Sequence, residues 1–140
     1  IKCARWSVII TAPIIYSLIF PLVLLDIFMS IYQAICFPIY GIPKVRRSDY
    51  LVFDRMMLDY LNGIQKINCA FCSYGNGILA FGHEVAARSE QYWCPIKHAK
   101  KVRGVHNRYP VFTDFGDGEQ YHEKVSVIRE MFDKADTPPE

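Results

Sequence analysis

The stretch that organises the chain is residues 69–98, CAFCSYGNGILAFGHEVAARSEQYWCPIKH. It opens with Cys69 and Cys72, three positions apart, and closes with Cys94 and His98, four positions apart. Two such pairs of thiolate and imidazole ligands are typical of tetrahedral Cys₃His zinc sites. The spacing therefore predicts a zinc site with these four ligands. Thiolate-rich tetrahedral sites also accept iron, which is the alternative metal.

The four ligands can meet only if the chain between the two pairs turns back on itself. Residues 67–77, INCAFCSYGNG, contain Gly75, Asn76 and Gly77, which permit a turn, so a metal knuckle is expected there. A helix is then expected from about Ile78 to Trp93, ending before Pro95. A straight helix of this length is about 24 Å long and would keep the two pairs apart. The glycines, including Gly82, favour a broken helix and a closed site.

The cysteines allow other interpretations. A CxxC dithiol can carry redox chemistry, but such motifs lie at a strand-to-helix junction, and Ile67-Asn68 is unlike a buried strand. Buried cysteines also pack as small apolar side chains, which is the interpretation adopted for Cys3 and Cys36. A zinc enzyme would need three protein ligands and a bound water. The sequence has no phosphate-binding loop and no serine nucleophile motif, so no enzymatic activity is assigned.

The histidines outside the motif have no clear ligand role. His83 is an alternative to the histidine of the predicted site, although no HExxH motif is present. His106 and His122 lack partners at metal-binding spacing and are expected at the surface. Glu84 and Arg88 are four positions apart, which predicts an ion pair at the surface or between helices rather than a catalytic pair.

The N-terminal region is strongly apolar. Residues 6–25 are uncharged and would form a helix of about 30 Å, which matches the hydrocarbon core of a membrane. Residues 27–43 are apolar again, and Asp26 separates the two blocks. A charge at the bilayer centre costs about 2.5–3.5 kcal/mol. Asp26 is therefore expected near an interface, or paired with a polar group on a partner helix.

Three membrane topologies fit this pattern. The first block spans the bilayer and the second lies on its surface, or the two blocks form a re-entrant hairpin, or one long tilted helix runs from about Trp6 to Phe37. In each case Pro38, Gly41 and Pro43 end the apolar segment. The basic residues that follow predict a cytoplasmic C-terminal part, where reduced cysteines are expected.

The remainder of the chain is expected to be helical. A helix is predicted from Ser48 to a C-cap at Asn62-Gly63, and a final amphipathic helix over residues 119–133. The predicted fold class is thus mainly α, with a membrane-embedded N-terminal segment and a small helical cytoplasmic domain containing a metal knuckle. Its expected parts are a membrane anchor (1–43), a helical Cys/His metal-site domain (44–110) and an acidic tail (111–140).

The charges are unevenly distributed. Between residues 91 and 113 there are five Lys or Arg and no acid, whereas residues 114–140 carry eight acids and three bases. The basic belt suits anionic lipid head groups or an acidic partner protein, and the acidic tail also suits folding back onto it. A net charge of +2 is too small to indicate nucleic-acid binding.

Several segments resemble a group of small bacterial membrane proteins that carry a CxxC…CPxKH pattern. They are Leu25-Asp26-Ile27, residues 32–38 (YQAICFP), residues 41–44 (GIPK), residues 72–77 (CSYGNG) and residues 90–99 (EQYWCPIKHA). The resemblance covers roughly residues 22–100 and implies a bacterial inner-membrane location, but no activity.

Together, these features predict a membrane-anchored, zinc-binding accessory or structural subunit of a larger membrane complex, with lipids and proteins as partners. The alternative function is a membrane redox protein that uses an iron site or the CxxC dithiol.

Overall fold

The computed structural model describes residues 2–132, apart from the side chains of residues 2–5 and 8. Within this range the fold is mainly helical and contains no β-strand, which confirms the mainly α part of the predicted fold class. The α-helices are Lys2–Ser17 (α1), Ile19–Tyr40 (α2), Gly63–Trp93 (α3) and Gly118–Glu130 (α4). Short 3₁₀ turns occupy Arg47–Asp49, Asp54–Met57 and Tyr109–Val111. The last residues of the predicted acidic tail, 133–140, lie outside the described range.

Helices α1 and α2 form one nearly continuous apolar rod. The interruption falls at Leu18, because Pro21 has no N–H to donate to the carbonyl of Ser17. The helix then runs unbroken through Asp26, so the described residues form no hairpin there. By length and composition, Ile9–Tyr40 is long and apolar enough to cross a membrane. The rod ends as predicted at Gly41, whose left-handed φ of 68° lets the N–H of Ile42 bond to the carbonyl of Phe37.

After α2 the chain reverses and runs back along the same helix. We call residues 42–62 the return segment. The N–H of Val45 donates to Gln33 Oε1 at 3.0 Å, and Gln33 Nε2 donates to the carbonyl of Val45. Further along, Arg47 pairs with Asp26. The return segment therefore lies antiparallel to α2.

Helix α3 then runs parallel to α2. Near its start, the hydroxyl of Tyr16 donates to the side chain of Asn68. Near its end, the rings of Tyr40 and Trp93 meet at a centroid distance of 5.0 Å. Because two parallel helices need a connection as long as themselves, the return segment has to cover this whole distance. This requirement explains why the segment contains only short 3₁₀ turns and no α-helix.

The hydrophobic core combines residues from all these parts. Phe37 of α2 packs with Phe81 and Val85 of α3, and all three are fully buried. Ile42 and Val45 of the return segment join them in the same cluster. The predicted membrane anchor and the predicted metal-site domain thus share one core.

Two predictions about local structure are wrong. No α-helix forms from Ser48 to Asn62, where the structure has only two short 3₁₀ turns joined by irregular chain. Asn62 does not end a helix but begins α3, because its side chain accepts from the N–H of Gln65 and the Gln65 side chain accepts from the N–H of Asn62. This reciprocal pair is a capping box, with glutamine in the third position.

The expected metal knuckle is not formed. Residues 67–77 are helical, and α3 continues through them without a break. Their glycines make room for neighbours instead of turning the chain. A Cβ on Gly77 would lie only 2.5 Å from the carbonyl oxygen of Tyr50, and one on Gly75 would lie 3.4 Å from Leu22 Cδ1. At Gly77 the return segment approaches α3 too closely for any side chain.

Candidate functional site

The structure does not bring the four predicted zinc ligands together. Cys69 and Cys72 lie in the first third of α3, Cys94 follows its last residue, and His98 lies in the loop beyond. Since α3 is unbroken, about 33 Å of helix separates Cys72 from Cys94. Among the described residues, no three His, Cys, Asp or Glu side chains are arranged to hold a metal ion. A closed site would require a break in α3, but the helix is continuous from Gly63 to Trp93.

The CxxC pair lies one helical turn apart, with Cys69 half-buried and Cys72 exposed. Dithiol oxidoreductases place the reactive thiol at a helix N-terminus, where the helix dipole stabilises the thiolate. Here α3 begins at Gly63, so both thiols lie beyond the first turn, within which the dipole acts. This placement does not favour the redox interpretation.

A small cleft of about 180 Å³ gathers three of the four histidines, His83, His98 and His106, together with Glu90 and Tyr109. His106 is buried, contrary to the expected surface position, and its Nε2 lies 2.8 Å from Glu90 Oε2. Its Nδ1 has no hydrogen-bond partner among the described residues. No local sequence signal marks this burial, because it depends on the loop before Tyr109 folding back over α3.

The predicted Glu84–Arg88 ion pair is present and belongs to a larger network. Glu84 Oε1 accepts from Arg88 Nε at 2.9 Å and from Arg108 Nη2 at 2.9 Å. Arg88 Nη1 also donates to the carbonyl of Pro43, and Arg108 Nη1 donates to Gln91 Oε1. The network joins α3 to the start of the return segment and to the loop before α4. Its geometry is that of a structural clamp.

Helix α4 is held by two polar contacts to the end of α3. The side chain of Gln91, which is only 1% exposed, donates from Nε2 to the carbonyl of Ile128 at 2.7 Å. Arg129 Nε donates to the carbonyl of Tyr92, and its guanidinium lies 5.0 Å from the centroid of that ring. The predicted final helix is thus fixed in place by side chain to backbone bonds.

Asp26, the one charged residue of α2, is paired within the chain. Arg47 of the return segment bonds to both carboxylate oxygens, and its Nε lies 2.9 Å from Oδ1. The hydroxyl of Tyr74 donates to Oδ2 at 3.0 Å. Burial and this bond to Asp26 raise the pKa of Tyr74, so its hydroxyl remains a proton donor at neutral pH. The acid therefore connects α2, α3 and the return segment.

The side of α2 that faces away from α3 forms a continuous apolar surface. We call it the outer strip, and its residues are Phe20, Leu24, Ile27, Phe28, Ile31, Ile35 and Ile39. Ile39 is 72% exposed and Phe28 is 67% exposed. The surface continues along α1, where Trp6, Ile10 and Ile14 are exposed to a similar degree. A contiguous apolar surface of this length marks a place where lipid or another protein binds.

No family model, no curated protein and no solved structure matches the chain.

Proposed function

We propose that this protein is a membrane-anchored accessory protein, held in the bilayer by the α1–α2 rod, on which the return segment, α3 and α4 assemble. The observation that carries the proposal is the exposure of the rod. Only 6% of its apolar window is buried in the structure, whereas the core helix of a soluble protein would be mostly buried. With about half of each side chain exposed, transfer of the outer strip out of water is worth about 5–10 kcal/mol.

The polar groups of the described part favour an accessory or structural role over catalysis. Asp26, Glu84 and Gln91 each bond to groups from at least one other segment of the chain. They therefore hold segments of the chain together. The exposed Arg46 and Lys44, directly after the rod, suit the anionic head groups of a cytoplasmic leaflet and so support a cytoplasmic position for the folded part. We propose the bacterial inner membrane as its location.

Vesicle flotation tests the anchor. The full chain is mixed with phosphatidylcholine–phosphatidylglycerol vesicles and centrifuged in a density gradient at high salt, which screens purely electrostatic binding. The wild type is expected to float with the vesicles. The double variant Phe28→Glu, Ile31→Glu, which places two charges in the outer strip, is expected to remain at the bottom.

A matched control distinguishes the loss of membrane binding through the outer strip from a general effect of added surface charge. Phe115 and Val127 are exposed to 68% and 50%, close to the 67% and 51% of Phe28 and Ile31, but lie outside the rod. The variant Phe115→Glu, Val127→Glu is expected to float like the wild type. A wild type that does not float, or a control that behaves like the outer-strip variant, would contradict the proposal.

A further inference from the structure

The rod is too long to cross a bilayer upright. Ile9–Tyr40 has 32 residues, which makes about 48 Å of helix, against a hydrocarbon thickness of about 30 Å. To fit between the two surfaces, the helix would need a tilt of about 50° from the membrane normal, beyond the usual range of 0–40°. If it crosses at a smaller tilt, a large part of the rod has to lie outside the hydrocarbon.

The return segment excludes a crossing in the second half of the rod. It runs beside α2 from Phe37 back to Asp26, and its residues 46–49, Arg-Arg-Ser-Asp, are exposed at that level. A bilayer centred on this part of α2 would enclose these charges. Each charge at that depth costs about 2.5–3.5 kcal/mol.

Helix α3 excludes a crossing in the middle of the rod, because it accompanies the rod from Tyr16 at the end of α1 to Tyr40 at the end of α2. Exposed polar side chains of α3, among them Asn76 and His83, lie along this length. Along α2, a crossing would therefore bring polar side chains of α3 or of the return segment to the depth of the hydrocarbon.

The arrangement of polar and apolar groups around α2 suits a different orientation. The outer strip is entirely apolar, while the return segment and α3 cover the opposite side of the helix. On these grounds, and given the proposed membrane anchor, we infer that α2 lies in the plane of one leaflet, with its outer strip against the acyl chains and the folded part on the aqueous side. The outer strip thus binds lipid, at the boundary between the head groups and the acyl chains.

Depth-dependent quenching of tryptophan by brominated lipids tests this orientation. The chain has two tryptophans, Trp6 and Trp93, so the variant Trp6→Phe, Trp93→Phe provides a background without them. Single tryptophans are then introduced as Phe20→Trp, Phe28→Trp and Ile35→Trp, and each protein is reconstituted in phosphatidylcholine–phosphatidylglycerol vesicles brominated at different acyl positions.

A helix in the plane of the leaflet places all three reporters at one depth, about 5–10 Å below the head groups. A crossing helix separates the first and last reporters by up to about 22 Å and brings at least one of them near the bilayer centre. Phe115→Trp in the same background serves as the control and is expected to be unquenched.

The outcomes distinguish this inference from the proposed anchor. Equal, shallow depths at the three positions support an in-plane helix. A reporter near the bilayer centre overturns the in-plane helix but leaves the anchor intact. Flotation together with unquenched reporters would mean that the outer strip is covered by a second copy or another protein, which also overturns the inference. Loss of flotation itself contradicts the proposed anchor.

Discussion

Replacing Gly77 by alanine tests the close approach between the return segment and α3. A Cβ at this position would lie 2.5 Å from the carbonyl oxygen of Tyr50 and 2.8 Å from Leu51 Cδ2. The leucine side chain can rotate away, but the backbone carbonyl moves only if the return segment shifts. Gly82 provides a matched control in the same helix, because a Cβ there would meet no atom closer than 3.9 Å.

The expected change in the free energy of unfolding follows from two opposing effects. Both substitutions relieve the poor helix propensity of glycine, which stabilises the folded state by about 1 kcal/mol. Gly82→Ala is therefore expected to raise the free energy of unfolding by about 0.5–1 kcal/mol. Gly77→Ala adds an overpacking cost of about 1–3 kcal/mol. The stability difference between the two variants, about 1–3 kcal/mol, isolates the clash because the propensity gain is common to both.

The assay is urea unfolding followed by circular dichroism, with wild type and both variants in the same detergent. We expect the midpoint of Gly77→Ala to fall below that of Gly82→Ala, with similar dependence on urea concentration. Equal stability of the two variants would refute the close packing of the return segment on α3, and with it the parallel arrangement of α2 and α3 that depends on this segment.

Three further predictions concern polar contacts. Gln91→Met is expected to lower the free energy of unfolding by about 1–3 kcal/mol, because the carbonyl of Ile128 loses one of its two donors and Arg108 Nη1 loses the Gln91 acceptor; an unchanged urea midpoint would contradict this. Lys97 lowers the pKa of Asp114 below its ordinary 3.8, so their pair contributes stability above about pH 4 that is lost on acidification. The thermal midpoint of Asp114→Asn should therefore fall less below that pH than the midpoint of the wild type. Identical pH profiles of the two proteins would contradict a stabilising pair. Asp26→Asn is expected to cost about 1 kcal/mol in urea unfolding, because half-exposed Arg47 can turn to water, and a loss of folding would show a larger role for the acid.

Element ends were predictable where the signal is local. Gly41 ends α2 and Pro95 follows the end of α3, because a left-handed glycine and a proline restrict the backbone wherever they occur. The Glu84–Arg88 pair follows from helical spacing alone. The final helix was also predictable from its apolar periodicity, and Asp117 caps it with a side-chain bond to the N–H of Gln120.

The errors arise where the meaning of a residue depends on a distant partner. Asn62-Gly63 is the exception: it is compatible with either end of a helix, and the bond to Gln65, only three positions away, decides that it is the beginning. In the sequence, Gly77 indicates a turn. In the structure, the missing side chain leaves space for the carbonyl of Tyr50, which is far away along the chain. The predicted metal site depended on that turn. His106 is buried because of a loop packing that no periodicity reveals.

The position of Asp26 connects the sequence pattern with the proposed orientation. A lone carboxylate in the middle of an apolar segment is costly for a helix that crosses a membrane. On α2, however, Asp26 faces the return segment and bonds to Arg47 and Tyr74, on the side of the helix opposite the outer strip. With α2 in the plane of one leaflet, this side faces water and the strip faces lipid. The charge then never enters the hydrocarbon, and the same residue that interrupts the apolar pattern attaches the rod to the folded part above it.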